Sequence, residues 1–260
     1  MTSLPASLAA PPPGRDDRRD DDSAAAMARA LDNVFWQALA GPQRALALGG
    51  DTARRFAPGL PPIAAFADNT RPDLAALAAV CSAGEALYTG GWSGPAPTGW
   101  TVAVDARMHR MAWPTTRPAP SADGAADPDA DRAWRVLRPA DAPAAYALAT
   151  LTRPGPLAPR VTELGEYLGC FDAQGRLLAM AGERVRAGAW REVSGVCTHP
   201  DAQGRGLARG LLAALVGRIL ARGDRPFLHV MTDNVAAHRL YEQLGFVDVA
   251  EPAARVLVRG

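Results

Sequence analysis

The strongest hydrophobic pattern lies toward the C-terminal end. Apolar residues at 207, 211, 212, 215, 216, 219 and 220 fall on one stripe at helical spacing and predict a helix over 207–222. Gly223 follows its last turn, where a residue of left-handed conformation closes a helix. Upstream, 166–171, 177–186 and 190–198 read as three strands. The segments Asp172-Ala-Gln-Gly175 and Ala187-Gly188 supply tight turns between them, which makes an antiparallel meander. A strand at 134–137, a helix at 141–151 and a Pro-rich loop at 153–159 come before the meander. After the long helix come a strand at 227–231 and a helix at 234–244, with Asp233 or Asn234 as N-cap and Gly245 past its end. Strands at 246–249 and 255–258 close the sheet.

The first half of the chain is patterned more weakly. Helices are expected at 31–39 and 72–80, and strands at 63–66 and 100–104, with 109–113 continuing the second strand after a bend. Residues 1–30 are Pro-rich and then dense in charge, a composition that buries too little apolar surface to offset its ordering entropy, so a disordered tail is expected. Residues 114–132 are dominated by Pro, Ala, Asp and Ser and read as a linker. The predicted organisation is a tail (1–30), an N-terminal α/β region (31–113), the linker (114–132) and a C-terminal domain (133–260).

Composition narrows the class. The chain has 260 residues, 48% hydrophobic and 21% charged, ordinary values for a soluble globular protein. A net charge of +1 gives no reason to expect nucleic acid or an anionic membrane as partner. All 28 basic residues are Arg. Cys81, Cys170 and Cys197 are odd in number and widely spaced, without Cys/His ligand spacing, so neither a disulfide framework nor a bound metal is expected. With no signal-peptide h-region and no apolar run of membrane-spanning length, a cytoplasmic location is expected.

The chemistry concentrates at the start of the long helix. The loop Gln203-Gly204-Arg205-Gly206-Leu207-Ala208 opens it. Unpaired N–H groups at a helix N-terminus carry the positive end of the dipole and bind phosphate. Gly204 and Gly206 block no close approach, so the loop reads as a pyrophosphate cradle. Arg205 and Arg209 are candidate phosphate contacts through their forked guanidinium groups.

These residues resemble a known family. Gln203-x-x-Gly206-x-Ala208 is similar to the Q/R-x-x-G-x-G/A cofactor loop of the GCN5-related N-acetyltransferases. Asn234-x-x-Ala237-x-x-x-Tyr241, followed by Leu244-Gly245-Phe246, resembles the family's second cofactor motif, in the right order and at the right distance. The resemblance covers about 132–258. It implies an α/β (α+β) acyl-CoA N-acyltransferase fold, a mixed, mostly antiparallel sheet flanked by helices. It also implies acetyl-CoA as co-substrate and direct acetyl transfer to an amine: a small molecule, an amino acid or a protein N-terminus. The extra N-terminal region resembles that of the two-part FR47-like members, whose first half is a degenerate copy of the fold.

The resemblance also implies roles. Val196, Cys197 and Thr198 would pair with the pantetheine arm of the cofactor like an added strand. Residues Gln203 to Arg209 would take the pyrophosphate, Gly195 would permit a bulge, and Asn234 and Tyr241 would face the thiol end. Tyr241 would protonate the leaving thiolate. Glu192 is the candidate base, acting on the amine through water, with its alternative a surface carboxylate or a partner of a nearby Arg. His199, His229 and His238 stand behind it as bases. Cys197 reads as an apolar filler, because transfer in this family is direct. Two other readings are an acyl-CoA-binding regulator without catalysis and, from Gly204-x-Gly206-x-x-x-Gly210, a dinucleotide site. The second lacks the G-x-G-x-x-G register directly after a first strand.

Overall fold

The computed structural model describes residues 17–96, 98–120 and 134–260. The start of the expected tail (1–16) and most of the expected linker (121–132) lie outside the described residues. Helix α1 (Asp17–Ala30) forms where composition predicts a disordered tail. The reason is local: Met27 is 4% exposed and Leu31, four residues on, is fully buried, so this stretch has an apolar face that an averaged composition hides. Helix α2 (Val34–Ala40) buries Val34, Phe35, Ala38 and Leu39. Strands β1 (Ala47–Gly49), β2 (Ala53–Phe56) and β3 (Ala64–Phe66) make a small antiparallel sheet. Helix α3 (Leu74–Ala78) is capped by Asp73, whose carboxylate accepts from the Ala76 N–H at 2.9 Å. Strand β4 (Ala86–Gly90) precedes β5 (Trp100–Ala112), one continuous strand of 13 residues where the sequence suggests two pieces and a bend.

The C-terminal elements follow the sequence reading closely: β6 (Trp134–Val136), α4 (Ala142–Thr152), β7 (Tyr167–Phe171), β8 (Leu177–Ala187), β9 (Trp190–Thr198), α5 (Leu207–Ala221), β10 (Arg225–Met231), α6 (Val235–Leu244), β11 (Val247–Ala250) and β12 (Ala253–Arg259). They build a nine-stranded sheet of order β4-β12-β5-β10-β9-β8-β7-β6, with β11 also paired to β5. β6 to β9 run antiparallel, as the meander predicts, and β9 pairs with β10 in parallel. Strand β5 lies mid-sheet. Its second half pairs with β10 (Met108↔Met231 to Ala112↔Phe227), and its first half with β12. The N-terminal region therefore supplies a central strand to the sheet.

The two faces of this sheet hold separate cores. One packs α2 and α4 against Tyr167, Met180, Val185, Cys197 and Phe227. The other packs α5 and α6 against Leu168, Ala181, Val193, Leu228 and Val230. The predicted stripe of α5 is the buried one, from Leu207 through Ile219. Each such side chain contributes about 1.5–3 kcal/mol, which holds the start of this helix against the sheet.

Candidate cofactor and acceptor site

Strands β9 and β10 pair from Trp190↔Arg225 to Val193↔Leu228 and then part. Beyond that point β9 pairs only with β8, and β10 only with β5. The edge of Ser194–Thr198 that faces β10 therefore carries main-chain groups with no sheet partner. A bulge begins at the same place. Gly195 and Val196 stand between Gly182↔Ser194 and Met180↔Cys197, opposite Ala181 alone, and Gly195 has φ +63°. A Cβ there would press at 3.0–3.1 Å on Leu157 and Tyr167, so the opening depends on glycine twice over.

The loop after β9 leads from this opening to α5. Gly204 and Gly206 have φ of +73° and +71°, with nothing within 4 Å of where a Cβ would stand. Gly206 is the N-cap of α5 and has no side-chain cap, so the N–H groups of Leu207, Ala208 and Arg209 point out of the helix without intrahelical acceptors. Gln203, Arg205 and Arg209 are exposed, and neither arginine has an ion-pair partner among the described residues. Val196 and Thr198 are half-buried and Leu207 is buried. Cys197 is 7% exposed in the apolar core, and burial pushes its thiol up to about 11.

Asn234 caps α6, its Oδ1 accepting from the Ala237 N–H at 3.2 Å. It is exposed, whereas Tyr241 is 8% exposed with its ring edge-on to Phe246 at 6.2 Å. The helix thus places one of the pair at its open end and the other in the core. Burial pushes the Tyr241 phenol up to about 12, and its hydroxyl has no hydrogen-bond partner among the described residues.

Glu192 is fully buried at the last turn-free stretch before the strands part. Arg184 clasps it in a fork, Nε to Oε2 at 2.9 Å and Nη2 to Oε1 at 2.7 Å, and His229 Nδ1 lies 2.7 Å from Oε1. Arg110 Nε donates to His229 Nε2 at 3.0 Å. These contacts fix the tautomer: Nδ1 carries the proton toward Glu192, and Nε2 accepts from Arg110. Burial by itself would raise the Glu192 carboxyl, but the Arg184 charge and the hydrogen bonds from His229 and Arg184 hold it down at about 2. Burial lowers the His229 pKa against the pull of Glu192, so the ring stays neutral.

The sequence reading of Glu192 as a partner of a nearby Arg holds, but it named neither Arg184 nor the His229 contact. Arg184 meets it because β8 carries a bulge: Arg184 and Val185 stand opposite Glu192 alone, between Glu183↔Val193 and Arg186↔Arg191. Buried Gln43 satisfies the loosened backbone, donating to the Arg184 carbonyl at 2.8 Å and accepting from the Arg186 N–H at 3.1 Å. Nothing in local spacing signals this, because Gln43 comes from the N-terminal region. Tyr167 was also missed. Its ring lies over Gly182, its buried hydroxyl has no partner among the described residues, and that oxygen is 3.6 Å from the Cβ position of Gly195. His199 caps the short turn after β9, its Nδ1 accepting from the Asp201 N–H at 3.2 Å, and His238 on α6 lies against Asp248, its Nε2 2.9 Å from Oδ2.

Arg110 is 5% exposed and helps line a cavity of about 930 Å³, whose other walls include Asp32, Asn33, Phe35, Asn69 and Glu251. The N-terminal region builds most of it.

A stability prediction follows from His229. Its folded pKa is lowered, so as pH falls through about 6.5 the unfolded chain takes up the proton first and stability drops. The depressed Glu192 adds a further loss below about pH 4.3. Denaturant unfolding between pH 7.5 and 5.5 should show the first loss in the wild type and a shallower slope in His229→Gln.

A mixed sheet whose two parallel central strands part over an uncapped, glycine-rich helix start is the acyl-CoA N-acyltransferase fold. Residues 167–255 match the family model described as FR47-like protein. A GNAT-family acetyltransferase structure from Novosphingobium aromaticivorans is 36% identical, with a TM-score of 0.77, over 89% of this chain and 99% of that one. A GCN5-related N-acetyltransferase-like protein from Streptococcus suis shares the fold at 14% identity and a TM-score of 0.57, over 92% and 99% of the two chains. A mycothiol acetyltransferase from Beutenbergia cavernae is 41% identical over 30% of this chain, and the match spans only 27% of that protein's length. The chain belongs to the GNAT family of acetyltransferases. No described helix is long and apolar enough to cross a membrane.

Proposed function

We propose that this protein transfers the acetyl group of acetyl-CoA directly to the amine of a small molecule, an amino acid or a peptide. The observation that carries this reading is the parting of β9 and β10 at Val193/Leu228, next to the bulge at Gly195 and in line with the uncapped start of α5. The pantetheine arm would pair with the free edge of Val196, Cys197 and Thr198. The pyrophosphate would lie on the N–H groups of Gly204 to Arg209, with Gln203, Arg205 and Arg209 around it. A bulge N–H would polarise the thioester carbonyl, and the unpartnered Tyr167 hydroxyl beside Gly195 supplies a second donor.

Tyr241 is the proposed acid for the leaving thiolate. A phenol is protonated at neutral pH and so has a proton to give, while burial, which raises its pKa, makes the donation depend on a thiolate forming beside it. Glu192, sealed between Arg184 and His229, acts in this proposal as a positioning residue that fixes the tautomer and orientation of the His229 ring and through it orients Arg110. The acceptor would approach through the cavity above Arg110.

The test is release of free CoA thiol from acetyl-CoA over a panel of amines. The proposal expects turnover with at least one amine class. Tyr241→Phe should lower kcat by about 100-fold or more while leaving acetyl-CoA affinity within about 3-fold. Tyr167→Phe should keep or raise Tm, because it removes a buried orphan hydroxyl, and should lower kcat if that hydroxyl meets the thioester. Tight acetyl-CoA binding with no turnover, and a silent Tyr241→Phe, would favour an acyl-CoA-binding regulator on the same fold.

A further inference from the structure

Three residues that the proposed reaction leaves unused converge where α6 packs over β5 and β11. His109 comes from β5, His238 from α6 and Asp248 from β11, and one ligand atom from each lies within 4.8 Å of the others. His109 Nδ1 is 3.2 Å from Asp248 Oδ1, and His238 Nε2 is 2.9 Å from Oδ2. The two imidazoles are stacked with centroids 4.2 Å apart. One turn along α6, Glu242 Oε2 lies 3.6 Å from His238 Nδ1.

We propose that His109, His238 and Asp248 bind a divalent transition-metal cation, zinc in the first place, with Glu242 as the outer carboxylate behind His238. Geometry carries this: ligand atoms from three separate elements converge within 4.8 Å, close enough for one ion to reach all three. With a metal ion among them, a His109 nitrogen, His238 Nε2 and an Asp248 oxygen become ligands, and His238 Nδ1 is left facing Glu242 at 3.6 Å. That is the carboxylate–histidine–metal arrangement that orients ligating imidazoles. Two neutral imidazoles and two carboxylates carry a charge that a divalent ion cancels, and an N/N/O donor set suits zinc, cobalt or nickel over the hard cations. The side chains of His109, His238 and Asp248 are 23%, 18% and 42% exposed, which gives the ion access and leaves a position for water.

The sequence gives no sign of the site, since residues 109, 238 and 248 make no local ligand spacing, and no metal is expected from it. The bound ion would tie the N-terminal strand β5 to α6, the helix that carries Asn234 and Tyr241. The inference stands whether or not the acetyl-transfer reading holds.

The experiment uses full-length protein freed of affinity tags and stripped with a chelator. Zn²⁺ is titrated by calorimetry and Co²⁺ by visible absorption. The site predicts one saturable equivalent, cobalt d–d bands of a low-coordinate N/O site, and a Tm that rises with Zn²⁺. Glu242→Gln should weaken binding about 10–100-fold, and His109→Gln, His238→Gln and Asp248→Asn should weaken it further. Unchanged metal-free Tm in these variants excludes misfolding as the cause. No saturable equivalent in the wild type, or binding that His109→Gln and His238→Gln leave intact, would overturn the proposal.

Discussion

Gly206→Glu should abolish measurable acetyl-CoA binding while leaving the protein folded. The new side chain would meet open space, since no atom lies within 4 Å of its Cβ. The left-handed φ of +71° adds a strain of about 1–2 kcal/mol, which a domain of this size tolerates. The charge decides the result. A carboxylate about 4 Å from a phosphate at an effective dielectric of 20 costs about 4 kcal/mol, nearly three decades in affinity. It would also compete for the free N–H groups of Leu207, Ala208 and Arg209. Gly206→Ala carries the same strain without the charge and should lose less than about 10-fold in affinity. Calorimetric titration of the three proteins checks this, and equal losses in the two variants would mean that backbone strain, not the anion cradle, sets affinity.

The second large effect belongs to Glu192. Glu192→Gln should destabilise the protein by about 3–5 kcal/mol, because it leaves the buried Arg184 charge without its counter-ion. At about 2–4 °C per kcal/mol, Tm should fall by roughly 10 °C. Below that temperature acetyl-CoA affinity should stay within about 3-fold of wild type. The paired change Arg184→Met with Glu192→Leu should recover much of the loss, since an apolar pair replaces a buried ion pair at little cost. Thermal melts of the single and double variants test the point. A Glu192→Gln protein with wild-type Tm and a collapsed kcat would instead favour direct proton abstraction by this carboxylate.

How far the sequence reaches differs between the two halves of the site. The Gly-rich loop, α5 and the Asn234 cap were legible because each is local: periodicity, cap residues and glycines lie within one helix length. The meander was legible from its turns. Strand β5 was read as two pieces, and its place beside β10 was not visible, because pairing across more than a hundred residues leaves no local trace. The same holds for the Arg110–His229–Glu192–Arg184 chain, which needs β5, β10, β9 and a bulge in β8 at once. Tyr167 was hidden for a different reason. It looks like any core aromatic until Gly182 and Gly195 are seen to clear its path toward the opening. Helix α1 was masked by charge: the few apolar residues that pack, Met27 foremost, are outnumbered in any window average.

The most direct test of the central claim is residue-resolved amide hydrogen exchange with and without acetyl-CoA. In the free protein the first-turn amides of α5 have no intrahelical acceptors, and the β9 edge beyond Val193 has no strand on the β10 side, so both should exchange fast. Acetyl-CoA should slow exchange at Ser194 to Thr198 and at Gly204 to Arg209 by about 10-fold or more, and leave β6 and β7 unchanged. Protection confined to the cavity over Arg110, or absent from both segments while the cofactor is bound, would contradict the account.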